Sequence, residues 1–499
     1  MNKRLSYFDA MQEKITASLQ LLPVNWRKEA EIMRDNMAQE KGYCAANTWL
    51  YDLTEPLRGL LDIAADDDDL KELANELSFA VRERAGWLPL EFADYTKQLC
   101  AGYAVPYPDF EDEGNQARLV CNVWWLRNLR VAHAKAREVA AIEAGLVHAK
   151  KNVYVSDDTL ERRTQQLRRN AALLAQINME SESGQRMKLS DCAAAGMSNP
   201  DNRRAELMTR ITGFEELANK YGHKAVFVTV TCPSKMHAVL STGKPNPKYD
   251  GTKPDNAQKY LVKTWAQCRA KLARLGVKFY GLRVAEPHHD ATPHWHMIFF
   301  FNEKDKGNLV SEIQTYFLRE DLQEAGALEN RVKFVDIKPS KGTAAGYVVK
   351  YVSKNIGGID GESSDEAKHS SSSLAGRVEA WASTWRIRQF QQIGGHSVTV
   401  WRELRRVSAD IVEKTGNLLI TKAWASAQKT EAVKASFARY IEAMGGLNIP
   451  PTKGWVKLDD DFIYTKGRYG MGIVHKVRGV CERFGMGAAA NNREEWRRV

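Results

Sequence analysis

The region that most constrains the fold lies between residues 224 and 356, where the hydrophobic periodicity switches repeatedly between that of strands and that of helices. Strand-like runs are KAVFVTVT, VKFYGLRVAE, HWHMIFFF and RVKFVDIK. Helical patterns occur after Pro254, in DKGNLVSEIQTYFLREDLQEAG and in GTAAGYVVKYVSKNI. The resulting order, β-α-β-β-α-β-α, predicts an α+β fold with a ferredoxin-like antiparallel sheet and helices on one face. Because many unrelated proteins share this architecture, it predicts no chemistry by itself.

Charge is distributed unevenly along the chain. The formal net charge of +10 favours an anionic partner, of which nucleic acid is the commonest. Residues 51–115 hold five Lys and Arg and sixteen Asp and Glu, a net charge of −11. We interpret their acidic run, Asp66 to Asp69, as the cap and solvated face of a helix, although the segment could also dock a partner. Residues 116–170 have a net charge of +6, with eleven basic and five acidic residues.

Composition and periodicity divide the chain into six predicted regions. Residues 1–220 are expected to be largely helical, with an acidic part (1–115) and a basic part that could contact DNA (116–220). The remainder is a core (221–356), a Gly/Ser-rich linker or loop (357–375), a helical extension of the core (376–445) and an unassigned C-terminal region (446–499). No run of eighteen apolar residues and no signal-peptide pattern occur, so neither a membrane span nor secretion is expected. The seven scattered cysteines include no CxxC pair and are expected to be reduced thiols.

A dense group of histidines and carboxylates connects two of the predicted strands. His294 and His296 alternate along one strand and therefore face the same side of the sheet. Glu286 ends the neighbouring strand across a seven-residue turn and can approach the same point. Two imidazoles and a carboxylate suit Mg²⁺ or Mn²⁺ with open positions for substrate oxygens, but they equally suit a non-haem iron oxygenase. Half-buried strand histidines that bind no metal are also common.

Two tyrosines lie one turn apart in the last predicted helix of the core. Tyr347 and Tyr351 share a helix face, with Lys350 and Lys354 on or beside it. Such aromatic pairs usually serve packing, yet a tyrosine beside a lysine can also act as a nucleophile. Upstream, Phe227, Thr229 and Thr231 share one face of the first predicted strand, where small hydroxyl side chains leave room for a ligand.

In the order FVTVTCPS, HWH and YVVKYVSK, these segments resemble the three motifs of the HUH endonuclease superfamily, the rolling-circle replication initiators. Longer blocks, including RVAEPHHDATPHWH, GTAAGYVVKYVSKNI and ASTWRIRQFQQIGG, resemble the replication gene A proteins of P2-like tailed bacteriophages from about residue 120 to 407. The resemblance implies an HUH nuclease core in which His294 and His296 bind metal and Tyr347 and Tyr351 are paired nucleophiles. It leaves the third ligand open between Glu286 and one of His288, His289 or Asp290. Arg386 departs from the family, whose members tend to have glycine there.

The resemblance also implies an activity. A site-specific single-strand DNA endonuclease and strand-transfer enzyme would start phage rolling-circle replication through a 5′-phosphotyrosyl intermediate, with Mg²⁺ or Mn²⁺ and no nucleotide cofactor, in the cytoplasm of the bacterial host. Lys354 would stabilise the developing charge. Expected partners are single-stranded or supercoiled origin DNA and a host helicase, single-strand-binding protein and replicative polymerase, since no Walker-type loop is present.

Contacts with DNA are expected from a further set of arginines. The candidates are Arg162, Arg163, Arg386 and Arg388. Trp381, Trp385 and Phe390 either stack bases or belong to the core. Two alternatives to the nickase stay open: a non-catalytic protein that binds an origin and recruits a helicase, and an HUH transposase or relaxase with the same chemistry.

Overall fold

A computed structural model describes residues 7–55, 59, 61–86, 88–108, 113–240, 242–337, 343–356, 371–430, 433–485, 487–491 and 494–499. Two compact units emerge, and each is considered by itself. The first comprises Met1–Val147 with Tyr464–Val474, and the second comprises His148–Ile463 with His475–Val499. The predicted region boundaries remain predictions.

The N-terminal part of the first unit is helical, whereas its Tyr464–Val474 segment contains strand residues. Its helices are α1 (Tyr7–Gln20), α2 (Val24–Thr54), α3 (Asp67–Arg82), α4 (Pro89–Gly102), α5 (Glu113–Leu119) and α6 (Asn122–Glu143). The Asp66 side chain accepts hydrogen bonds from the backbone N–H groups of Asp68 and Asp69, and the Asp69 side chain accepts from Asp66 N. This capping box explains the acidic run as the start of α3, as the sequence indicated.

The second unit contains helices and strands. Its helices are α7 (Asp157–Gln176), α8 (Leu189–Ala195), α9 (Pro200–Tyr221), α10 (Pro254–Arg274), α11 (Lys306–Leu318), α12 (Ala327–Asn330), α13 (Ala344–Asn355), α14 (Ser371–Trp385), α15 (Val398–Leu404), α16 (Ala409–Thr415), α17 (Leu418–Ala427) and α18 (Phe437–Ala443). The strands of the chain are β1 (Asn178–Ser181), β2 (Arg186–Lys188), β3 (Lys224–Thr231), β4 (Phe279–Pro287), β5 (Pro293–Phe301), β6 (Val332–Ile337), β7 (Phe390–Ile393), β8 (Val456–Gly467), β9 (Gly470–Glu482), β10 (Ala488–Ala490) and β11 (Trp496–Arg498). In the part of the chain described, no helix is both long and apolar enough to cross a bilayer.

The central sheet has five antiparallel strands in the order β6-β3-β5-β4-β7. The predicted succession of four strands and three helices is confirmed along the chain. The strands on either side of β5 place the side chains of the site by their register. β4 pairs Glu286 with His294, and β3 pairs Thr229 with His296. Two smaller sheets have the orders β11-β1-β2 and β10-β9-β8.

Helices cover both faces of the central sheet, so the prediction of helices on one face was wrong. On one face, α10 contributes Trp265, which stacks on Phe299 with ring centroids 5.5 Å apart. On the other face, α9 contributes Phe214, which contacts Phe300 at 6.5 Å. Successive residues of β5 point to opposite faces of the sheet, and nearly all of them are buried. Burial of both faces requires a layer of helices on each side of the sheet.

The predicted helical extension is interrupted by β7, and residues 1–220 contain the short strands β1 and β2, which the helical periodicity did not predict. Helix α14 ends at Trp385, and the following Arg386 adopts a left-handed backbone conformation with φ of 54°. Such a conformation favours glycine and stops a helix. The chain then continues extended and pairs with β4.

A close approach between α9 and α18 gives a test of this packing. A Cβ added at Gly213 would lie 2.7 Å from both Ala438 N and Phe437 Cβ. We expect Gly213→Ala to lower the free energy of unfolding by about 1–3 kcal/mol, because backbone and a buried ring must move. Gly307→Ala is the matched control, since its added Cβ meets no atom within 4 Å. Chemical denaturation of both variants measures the difference, and equal stability would contradict this account.

Candidate active site

The candidate site is built on one face of the central sheet at the end of the β4–β5 hairpin. Glu286 and His294 are directly opposite each other in the two strands, and His296 is two residues further along β5. Cross-strand partners and alternate residues share a face, so the pairing brings all three side chains together. All three are nearly buried, with 1% of the Glu286 side chain and 11% of the His296 side chain exposed.

The ligand atoms of these three residues form a compact set. His294 Nε2 and His296 Nε2 are 3.0 Å apart, and Glu286 Oε2 is 3.6 Å from His296 Nε2. All three ligand atoms lie within 4.8 Å of one another. Two ligands at right angles around an ion of Mg²⁺ size, bound at about 2.1 Å, are about 3.0 Å apart. The donor set therefore fits a divalent cation with open coordination positions.

Side chains from neighbouring elements orient two of these donors. Thr229 Oγ1 on β3 is 3.0 Å from His296 Nδ1, which leaves Nε2 of the same ring for a ligand role. The Asn355 amide at the end of α13 donates to Glu286 Oε1 and is itself 2% exposed. Gln389 Nε2 in turn lies 3.4 Å from Asn355 Oδ1. Sequence reasoning missed Asn355 and Gln389, because their contacts depend on segments far apart in the chain.

Of the alternatives to Glu286 as third ligand, Asp290 contacts other side chains, whereas His288 lies beside His294. Asp290 accepts hydrogen bonds from the Thr292 backbone and lies 3.0 Å from His237 Nδ1. The His288 ring packs against His294 with centroids 4.1 Å apart, and burial lowers the pKa of His288 to about 3. Glu286 is thus the carboxylate that the structure brings to both histidines.

The two tyrosines lie on α13 above the same face. Thr343 caps this helix by accepting from Gly346 N at 3.0 Å. The Tyr351 ring lies 4.2 Å from the His296 ring and stacks on Phe227 at 5.2 Å. The Tyr347 ring is 6.1 Å from Phe227. Both rings are half-buried and lie beside the cluster of Glu286, His294 and His296, so both packing and chemistry are compatible with their position.

The two lysines of this helix, Lys350 and Lys354, have side chains that lie outside the described residues. Their predicted roles stay predictions.

The four predicted DNA-binding arginines differ in their contacts. Arg163 donates from Nε and Nη2 to the carboxylate of Glu379 in α14, at 3.0 and 2.6 Å, so its guanidinium joins two helices. Arg162 lies 3.9 Å from Asp158 in the same helix. Arg386 and Arg388 are exposed, and Arg388 donates from Nε to the Phe390 carbonyl at 3.1 Å. Trp381 and Trp385 are 0% and 2% exposed, which makes them core residues rather than a surface for base stacking.

Comparison with known proteins identifies a family that this chain matches. Residues 108–359 match the model of the bacteriophage replication gene A protein (GPA) family, which covers every residue of the Glu-His-His set and both tyrosines. No solved structure matches this chain.

Several phage and prophage proteins are similar over most of the chain. The replication gene A protein of Escherichia phage 186 is 39% identical over 388 residues, which is 76% of this chain and 55% of that protein. The replication protein of Haemophilus phage HP1 is 37% identical over 385 residues, or 76% of this chain and 48% of that protein. A probable replication endonuclease from a prophage-like region of Salmonella paratyphi A is 33% identical over 392 residues, or 77% and 49%. The chain spans about half the length of these curated relatives.

Proposed function

The chain belongs to the bacteriophage replication gene A protein (GPA) family, and from this premise we propose that it is a site-specific, metal-dependent single-strand DNA endonuclease and strand-transfer enzyme that starts rolling-circle replication. Relatives named as probable replication endonucleases support this activity. The observation that carries the proposal is the position of the Tyr351 ring, 4.2 Å from His296 and beside the Glu-His-His set.

In the proposed reaction, a tyrosine hydroxyl is the nucleophile. The Oη atom of Tyr347 or Tyr351 attacks a phosphodiester phosphorus, the bond from phosphorus to the 3′ oxygen breaks, and the 3′ oxygen leaves as a hydroxyl after taking up a proton. The products are a 5′-phosphotyrosyl link and a free 3′ end. Because one phosphodiester replaces another, no nucleotide cofactor is required.

Glu286, His294 and His296 would hold the cation, Mg²⁺ or Mn²⁺. A divalent cation there supplies Lewis-acid polarisation of the scissile phosphate. Thr229 and Asn355 keep the imidazole of His296 and the carboxylate of Glu286 in position before the substrate arrives. The same preorganisation keeps the phosphate within reach of the α13 tyrosines.

The second tyrosine would carry out the second cleavage, which ends the replication round. After one round of synthesis the origin is regenerated, and the free tyrosine attacks it while the released 3′ hydroxyl attacks the first phosphotyrosyl link. Tyr347 and Tyr351, one turn apart, allow this exchange without removal of either strand end from the site. A circle of single-stranded DNA is the expected product.

The proposal includes its partners. A scissile phosphate must enter the site as single strand, so the substrate is single-stranded or supercoiled origin DNA. A host helicase, single-strand-binding protein and replicative polymerase would extend the new 3′ end, in the cytoplasm of the bacterial host.

A direct test uses single-stranded oligonucleotides that tile the phage's own genome. The protein, incubated with Mn²⁺ or Mg²⁺, should form a denaturant-resistant adduct with one tile, and mass spectrometry should locate it on Tyr347 or Tyr351. Chelator should prevent the adduct. Failure with every tile and with supercoiled origin duplex, from folded protein, would overturn the proposal.

Asn355→Ala tests the outer contact to Glu286. Without the amide, Glu286 loses its orienting donor, so we expect the Mn²⁺ concentration for half-maximal cleavage to rise about 10- to 100-fold. A titration of cleavage with Mn²⁺ measures this shift. Gln389→Ala, which removes only the more remote 3.4 Å contact, should shift it less. Equal metal requirements in wild type and Asn355→Ala would contradict the role of Asn355.

A further inference from the structure

A second contact between a histidine and a carboxylate lies beyond the end of the Glu-His-His set. Nδ1 of His237, in the loop that follows β3, is 3.0 Å from Oδ2 of Asp290 in the turn between β4 and β5. The Asp290 side chain is fully buried, whereas 18% of the His237 side chain is exposed. Because the carboxylate occupies Nδ1, Nε2 is the ring atom of His237 that is left for proton transfer. A buried carboxylate that orients an imidazole in this way is a recurrent arrangement in acid–base catalysis.

The contact between His237 and Asp290 is held in place from both sides. The Thr292 hydroxyl lies 3.1 Å from Oδ2 of Asp290 and 3.3 Å from the Met236 carbonyl oxygen. The side-chain amide of the buried Asn246 donates to the His237 carbonyl at 2.8 Å. The imidazole and the carboxylate are therefore positioned relative to each other before any substrate binds.

A continuous row of ring contacts connects a candidate nucleophile with His237. The ring centroids are 4.2 Å apart from Tyr351 to His296, 4.7 Å from His296 to His294, 4.1 Å from His294 to His288 and 5.1 Å from His288 to His237. Tyr351 and His237 stand at the two ends of this row, and the two candidate metal ligands of β5 lie between them.

The register of the sheet places these two ends on opposite sides of the candidate metal ligands. Both tyrosine rings of α13 contact Phe227, which pairs with Ile298 of β5. His237 instead follows the end of β3, whose last residue, Thr231, pairs with His294. An in-line attack on phosphorus requires the attacking and leaving oxygens to be on opposite sides. A phosphate attacked from the tyrosine side would thus direct its 3′ oxygen toward the His237 side.

We propose that His237 is the general acid for the leaving 3′ oxygen and that Asp290 is the residue that positions it. This inference rests on the proposed function, which supplies the phosphodiester and the tyrosine nucleophile. In cleavage, the bond from Oη to phosphorus forms and the bond from phosphorus to the 3′ oxygen breaks. Nε2 of the protonated His237 gives its proton to that oxygen, and the proton of the tyrosine hydroxyl passes to water. In the joining step, the neutral Nε2 takes a proton from the attacking 3′ hydroxyl.

A substrate whose leaving group needs no proton tests this role. In the oligonucleotide that forms the tyrosine adduct, sulfur replaces the bridging 3′ oxygen at the nick site, because a thiolate leaves without protonation. We expect His237→Gln to slow adduct formation about 10²- to 10⁴-fold on the oxygen substrate and less than about 10-fold on the sulfur substrate. Single-turnover rates of adduct formation with Mn²⁺ measure both quantities.

Two further variants complete the experiment. Asp290→Asn retains the shape of the side chain and removes its charge, so it should show the same dependence on the leaving group with a smaller loss of rate. His223→Gln is the matched control, because Nδ1 of His223 lies 3.1 Å from the Tyr280 hydroxyl just before β3 begins, at the opposite end of that strand. It should react as the wild type does on both substrates.

The outcomes separate this inference from the proposed function. A wild type that forms no adduct on either substrate would overturn both. Where the wild type forms adducts, an unchanged rate of His237→Gln on the oxygen substrate would overturn the general acid and leave the nickase intact. Equal losses on the two substrates would also overturn it, since a merely structural role does not depend on the leaving group. Rapid reaction of His237→Gln with the sulfur substrate supports the proposal and shows that the variant is folded.

Discussion

Replacement of both Tyr347 and Tyr351 by phenylalanine should reduce covalent attachment to DNA at least about 10³-fold, because the double variant lacks both tyrosine hydroxyls of α13. Phenylalanine retains the rings that pack on Phe227 and His296, so the fold should be preserved. The measurement is the yield of denaturant-resistant adduct with the nick-site oligonucleotide.

The two single variants should differ from the double variant and from each other. The Tyr351 ring contacts the His296 ring at 4.2 Å, whereas the Tyr347 ring contacts Phe227 at 6.1 Å, so Tyr351→Phe should reduce the first cleavage more than Tyr347→Phe. Each single variant retains one nucleophile and should nick, but it should release few circles, because the second cleavage requires the other tyrosine. Tyr316→Phe on α11 is a control for the loss of a hydroxyl elsewhere in the same unit. Adducts of the double variant at wild-type yield would show that the nucleophile lies elsewhere.

The sequence predicted the local elements of the core well. Hydrophobic alternation identified all four strands from β3 to β6, and the i, i+4 spacing placed both tyrosines on one face of α13. Local patterns of this kind depend on backbone geometry alone, so they can be recognised without a structure.

Features that depend on packing between distant segments could not be predicted in the same way. The burial of both sides of β5 requires α10, and the alternating pattern of its neighbours does not show which helix covers which side. β7 was missed because FQQI is short and follows a helical pattern, and only the left-handed Arg386 ends that helix.

The same distinction holds within the candidate site. The spacing of His294 and His296 was enough to place them together, since they belong to one strand. Choosing Glu286 over Asp290 required the β4–β5 register and the contact between Asp290 and His237. Asn355 is 69 residues further along the chain than Glu286 and contacts it only because α13 packs over the sheet.

Loss of the His296 side chain should strongly reduce both metal binding and cleavage. The effect on metal binding can be measured without DNA, from the increase in thermal stability that the metal causes. In the wild type, Mn²⁺ at about 100 times its Kd should raise the free energy of unfolding by about 2.7 kcal/mol, because the ion binds only the folded protein. His296→Ala removes a ligand and the partner of Thr229 Oγ1, so this stabilisation should largely disappear. Cleavage should fall about 10³-fold, equivalent to several kcal/mol of lost transition-state stabilisation. His475→Ala, in strand β9 of a different sheet, should behave as the wild type in both assays.

Glu286→Gln separates the charge of the third ligand from its shape. Gln retains a side-chain oxygen near the two histidines, so excess Mn²⁺ should restore part of the cleavage in this variant but not in His296→Ala. Without metal, Glu286→Gln should be as stable as the wild type or more so, since it removes a carboxylate that is 1% exposed. If Mn²⁺ and Mg²⁺ do not shift the thermal transition of the wild type, the metal site is contradicted. If the metal shifts the transition of Glu286→Gln as much as that of the wild type, only the role of Glu286 as a ligand is excluded. On this account we expect the buried carboxylate to lower stability in the metal-free protein, and the cation that it helps to bind would offset that loss.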